Sequence, residues 1–139
     1  MLNNVIQNQP RQKLLFYVDQ DVNEDITKKI CDMVDHLAVS RSWLLAPPRV
    51  VTVDTSVGGE LEIYSALPPM VLEKDVDRKH LDEVEDVVEA VRKLSESEQL
   101  VFEFELDGTY VGTIEDGEID RTLRVGLLDE WRSHLNTLI

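Results

Sequence analysis

Phe102, Phe104 and Leu106 occupy alternate positions of one short run, and Val101, Glu103 and Glu105 fill the positions between them. Successive side chains of a strand point to opposite faces, so this run has one apolar face and one that carries carboxylates. The turn sequence "DGT" follows and "YVGTIE" returns, which predicts a hairpin about an Asp-Gly turn. Glu103 and Glu105 are therefore expected to point to water, while the phenylalanine face must be covered. Elsewhere the chain supplies helical stripes for that purpose.

"KLLFYVD" (13–19) reads as a strand buried on both faces, and the period then changes. Ile26, Ile30, Met33, Val34 and Leu37 fall on one helical stripe, with Asn23 as the N-cap and acids in the first turn. Pro47 and Pro48 end any helix there, and Trp43 is expected to anchor the loop to the core. "RVVTVD" and "ELEIYSAL" read as two strands joined by "TSVGG". A second helix over about 77–94 turns Leu81, Val84, Val87, Val88, Val91 and Leu94 inward, with Asp82, Glu83, Glu85, Asp86 and Glu89 outward or on its flanks. A last helix from about Glu118 to Leu138 puts Ile119, Leu123, Leu127, Leu128, Trp131, Leu135 and Leu138 near one face. The order βαββαββα predicts an α+β fold, with three helices on a mainly antiparallel sheet. Residues 1–139 are expected to form a single domain, with 1–11 disordered.

Of the glycines, Gly58-Gly59, Gly108 and Gly117 read as turn residues. Gly112, in mid-strand, predicts a bulge or room for a ring opposite it, and Gly126 a close approach of the last helix to the sheet. None of the six glycines forms a phosphate-cradling spacing.

Charge is the strongest compositional fact: the net value is −14. Residues 1–70 hold nine acids against six Lys/Arg, and residues 71–139 hold nineteen against eight. Nucleic-acid binding requires phosphate neutralisation by cations, so no direct nucleic acid is expected, and an anionic membrane would repel the chain. No apolar run is long enough to span a bilayer, the first residues lack a signal-peptide pattern, and the single cysteine forms no internal disulfide. A cytoplasmic protein is expected.

Catalytic and metal chemistry find little support. "DQDVNEDITKKI" puts Asp19, Asp21, Asn23 and Asp25 at calcium-loop positions, but Glu24 stands where glycine is required and Ile30 where a bidentate glutamate is required. His36, His80 and His134 lie in separate segments and read as surface residues, and Cys31 as a small core residue. Metal: none; cofactors: none. Paired catalytic carboxylates need environments that separate their pKa values, whereas Glu103 and Glu105 share the wet face, so no enzyme is expected.

The acids of the C-terminal half ask for another explanation. No lysine or arginine occurs from 94 to 120, and like charges side by side on a sheet cost stability. A cationic partner would offset that cost and gain a faster encounter. The stretch "FELDGTYVGTIEDGEIDRTLRVGLLDEW" resembles the tail of small acidic immunity proteins that bacteria make against contact-dependent and other polymorphic toxins. The resemblance rests on size, acidity, the Asp-Gly turns and the "LLDEW" helix, and covers about a quarter of the chain. It implies an α+β inhibitor that binds a basic toxin domain, commonly a nuclease. The expected contact residues are Glu103, Glu105, Asp107, Glu115, Asp116, Glu118 and Asp120, with Asp82, Glu85, Asp86 and Glu89 as a second patch. The alternative is a regulatory or self-associating module that uses an apolar surface of Trp43, Leu44, Leu45 and "LPPMVL".

Overall fold

A computed structural model describes residues 10–53, 55–64 and 73–137. Of the segment 1–11 expected to be disordered, residues 1–9 lie outside the described residues, as do the apolar stretch "LPPMVL" and Leu138. Arg11 opens the first strand.

The chain runs β1 (Arg11–Val18), α1 (Glu24–Ser40), β2 (Arg49–Val53), β3 (Ser56–Tyr64), α2 (Lys74–Glu98), β4 (Val101–Leu106), β5 (Thr109–Glu115) and β6 (Glu118–Ile119). A terminal helical segment, α3, follows. It comprises a short turn Arg121–Leu123, a π-helical stretch Arg124–Asp129 and an α-helix Glu130–Thr137. The fold is α+β, as the alternating periods require. Asn23 caps α1 by accepting a hydrogen bond from the Ile26 N–H at 2.8 Å. α2 stops where Gln99 takes a left-handed conformation, with φ of 55°. None of the described helices is long and apolar enough to cross a membrane.

The six strands stand in the order β2-β3-β1-β4-β5-β6, and every neighbouring pair is antiparallel. β3 therefore lies between β1 and β2, which α1 joins, and β1 lies between β3 and β4, which α2 joins. These are two interlocked split βαβ units, the topology termed ferredoxin-like, extended by the β5–β6 strands and α3. The inner face carries Phe16, Phe102, Phe104, Leu61 and Ile114, all buried against Ile30, Val34, Val84, Val87 and Val91 of the helices. β1 is not buried on both faces as expected: its outer side chains Lys13 and Leu15 reach solvent, and of that row only Tyr17 is covered.

Three local expectations are corrected. Gly58 and Gly59 are not turn residues; they lie within β3 opposite Tyr17 and Phe16. A Cβ on Gly59 would sit 2.4 Å from the Phe16 ring, so packing against that ring decides the residue. The last helix begins at Arg121, because Glu118 and Ile119 pair with Glu115 and Ile114 as a sixth strand. Gly126 marks no close approach, since a Cβ there would meet nothing within 4 Å. Gly112 does sit at a β-bulge, where the β4–β5 register shifts at Phe104/Glu105.

Candidate functional site

Cross-strand partners share a face of the sheet, so the register fixes where the acids of β4, β5 and β6 point. Glu103 stands opposite Thr113, Glu105 opposite Tyr110, and Glu115 opposite Glu118. All of these lie on the face away from the helices. Glu115, Asp116, Glu118 and Asp120 line one depression with Thr113 and Ile119. Asp116 and Gly117 form the turn between β5 and β6, with φ of 51° and 81°. Buried Ser95 fixes this turn to the end of α2: its Oγ accepts from the Gly117 N–H at 3.0 Å and donates to the Leu100 carbonyl at 2.6 Å.

Two of the expected residues also have structural duties. Asp107, at the opposite tip of the hairpin, accepts from the Lys13 N–H at 2.9 Å, while its own N–H donates to the Lys13 carbonyl. Asp120 caps α3, accepting from the Leu123 N–H at 2.9 Å and from the Tyr110 hydroxyl at 3.2 Å. Glu115, Asp116 and Glu118 are exposed.

The two predicted patches differ in how their charge is balanced. Among the described residues, Glu103, Glu105, Asp107, Glu115, Asp116, Glu118 and Asp120 enter no ion pair with lysine or arginine. On α2, Glu85 pairs with Arg132, Asp86 with Arg41 at 2.8 Å, and Glu89 with Arg92 at 2.7 Å; Asp82 is exposed and enters none. The far half of the open face is also balanced, through Arg11–Glu62 and Arg49–Glu60. Unbalanced negative charge thus gathers on β4–β5–β6. No family model, curated protein or solved structure matches the chain.

Two tyrosines that sequence reasoning left out complete this surface. Tyr110 is 49% exposed among the carboxylates; its position on a polar return strand was the available signal. Tyr17 lies at the junction of the balanced and unbalanced halves. Its hydroxyl stands 2.5 Å from Glu105 and 3.2 Å from Glu103, so a single proton serves both carboxylates. Glu103 and Glu105 are accordingly half-buried against it instead of fully solvated. The hydrogen bond to Glu105, then burial, then the nearby negative charges push the Tyr17 phenol well above its usual value of about 10.

The folded state thus holds this proton more tightly than the unfolded chain does. The resulting stability is fully present below about pH 10 and is lost as pH rises through the folded value. Unfolding of the parent and of Tyr17→Phe, measured from pH 8 upward, is expected to converge above about pH 10. A difference that stays constant into strong alkali contradicts this account of Tyr17.

The burial of α2 corrects two further expectations. His80 is 0% exposed and Glu83 1% exposed, so neither is a surface residue. His80 Nε2 accepts from the Tyr64 N–H at 3.1 Å, which leaves the proton on Nδ1, facing Glu83 Oε1 at 3.1 Å. Glu83 Oε2 accepts from the Leu44 N–H at 2.6 Å. The loop containing Trp43 is tied down here. Trp43 itself is half-buried against the core, with its indole N–H donating to Ala38 and Arg41 over its ring, consistent with an anchor.

Proposed function

We propose that this chain is a non-enzymatic immunity or inhibitor protein, and that the open face of β4–β5–β6 binds a basic toxin domain, a nuclease by preference. The observation that carries the reading is the contrast in balance: among the described residues the β4–β6 acids enter no ion pair with lysine or arginine, whereas three of the four α2 acids do. A nuclease cleft holds phosphates with lysine and arginine, and a rigid carboxylate array presents the same sign of charge to it. The hairpin strands and the Ser95-fixed turn supply the rigidity, and Tyr110 supplies an aromatic contact of the kind that dominates interface energetics. The resemblance to acidic immunity proteins points the same way.

The test uses the toxin domain encoded beside this chain's gene in its native host. Glu115→Lys combined with Glu118→Lys reverses charge at two exposed positions without touching the core. Association is expected to slow at least about tenfold in the double variant, and similarly in the parent between about 0.05 and 0.5 M salt. Dissociation should change far less, since long-range fields act mainly on encounter. Rates insensitive to both salt and charge reversal would remove the acidic face from the interface. Toxin nuclease activity unaffected by excess of this chain would remove the inhibitor reading as a whole.

A further inference from the structure

On the helical side of the sheet, α3 and the ends of β1, β3 and β4 line an open groove of about 410 Å³. Ile63 and Leu106 of the sheet, Leu127 and Trp131 of α3, and Asp77 of α2 are among its lining residues. Asp77 is only 3% exposed. Among the described residues no lysine or arginine pairs with it, and its carboxylate accepts one side-chain hydrogen bond, from Trp131 Nε1 at 2.8 Å. A carboxylate withdrawn from water is costly unless a cation or several donors meet it. One turn along α2, His80 and Glu83 are equally buried, and there both ring nitrogens and both carboxylate oxygens have partners. Among the described residues Asp77 has only the indole N–H as a side-chain partner, beside the positive end of α2 in whose first turn it stands, and it lines the groove.

The wall that α3 contributes is also unusual. The π-helical stretch Arg124–Asp129 brings Gly126 and Leu127 to the groove. Helical glycine is about 1 kcal/mol less favourable than alanine, and no neighbour requires its small size here. What the glycine does is keep the wall open, and π-helical interruptions of this kind recur at functional sites. Exposed Glu130 adds a second carboxylate at the rim.

We propose that this groove binds a compact organic cation, an ammonium or guanidinium on a short apolar stem. The charged group meets Asp77, which the indole N–H holds in place. Ile63, Leu106 and Leu127 take the stem. The groove has room to admit such a ligand. The site lies on the other side of the sheet from the acidic face and stands whether or not that face binds a toxin. The cation can arrive as a free small molecule or as a lysine or arginine side chain of another protein.

The test is a titration of the full chain with n-butylguanidinium, followed by thermal melting, and by Trp131 fluorescence in a Trp43→Phe background where Trp131 is the sole indole. A saturable response is expected, with a rise in melting temperature and none for the neutral isostere n-butylurea. Asp77→Asn keeps an acceptor for the indole but removes the charge, and is expected to weaken binding at least about tenfold. Gly126→Met fills the groove and is expected to abolish binding while the chain still melts cooperatively. No saturable response by about 10 mM, a very weak limit, an equal response to n-butylurea, or undiminished binding by Asp77→Asn would each overturn the proposal. An acetylated, amidated arginine dipeptide separates the sources: binding as tight as n-butylguanidinium indicates a protein side chain, and exclusion of the peptide indicates a free small cation.

Discussion

Replacing Glu83 by alanine is expected to destabilise the fold by about 3–5 kcal/mol, read as a lower denaturant midpoint at unchanged slope. Every bond in its network has a fixed direction. The Tyr64 N–H donates to His80 Nε2, the His80 Nδ1–H donates to one oxygen of Glu83, and the Leu44 N–H donates to the other. Alanine strands one buried and one half-buried donor and opens a hole beside a fully buried ring. Glutamine retains the volume but brings an NH2 group against either the imidazole N–H or the Leu44 N–H. Turning the imidazole to its other tautomer only moves the conflict to Tyr64. One donor-to-donor clash therefore persists, at about 1–3 kcal/mol. The ranking parent, glutamine, alanine is the signature of the directed chain. Equal losses for glutamine and alanine would reduce the site to simple side-chain packing.

Glu83 also shows why part of this molecule is readable in the sequence and part is not. The periods of Phe102–Leu106, Ile26–Leu37 and Leu81–Val91 record which side of each element meets the core, and the core is where they point. Asn23 and the two Asp-Gly turns act through bonds or dihedrals within a few residues, so they too are legible. Glu83 sits on the flank of its helix by local pattern. Its carboxylate is met by the Leu44 N–H, which the fold brings from 39 positions away, and by His80, whose ring is held by the Tyr64 N–H from 16 positions away. The acidic site divides along the same line. The acids of β4–β6 are visible as a run without lysine or arginine. The neutralisation of Glu85 by Arg132 and of Asp86 by Arg41 spans 47 and 45 positions, and no local pattern announces it. Strand β6 escaped notice because two residues carry no period, and acids before a helix read as its first turn.

Gly112→Ala is expected to cost roughly 3 kcal/mol or more, through overpacking added to a dihedral that L side chains resist. Gly112 lies at the bulge with φ of 148°, and a Cβ there would fall 2.3 Å from Leu123 Cβ and 2.7 Å from the Leu123 Cα and N. Two of those atoms are backbone, so no side-chain tip can swing clear. Leu123 is 0% exposed, and its N–H is the one that Asp120 caps. Relief of the clash requires the start of α3 to lift from β5, which releases Asp120 from Tyr110 and displaces one side of the acidic depression. Gly108 provides the control. Its φ is 81°, but a Cβ there meets nothing within 4 Å. Gly108→Ala therefore carries the dihedral cost alone, about 1–2 kcal/mol. The excess of the first variant over the second combines the packing of Leu123 on the bulge with the steeper dihedral cost at φ of 148° against 81°. Equal costs at the two positions would mean that α3 yields freely, and that the acidic edge is held by the β5–β6 turn and Ser95 without help from Gly112.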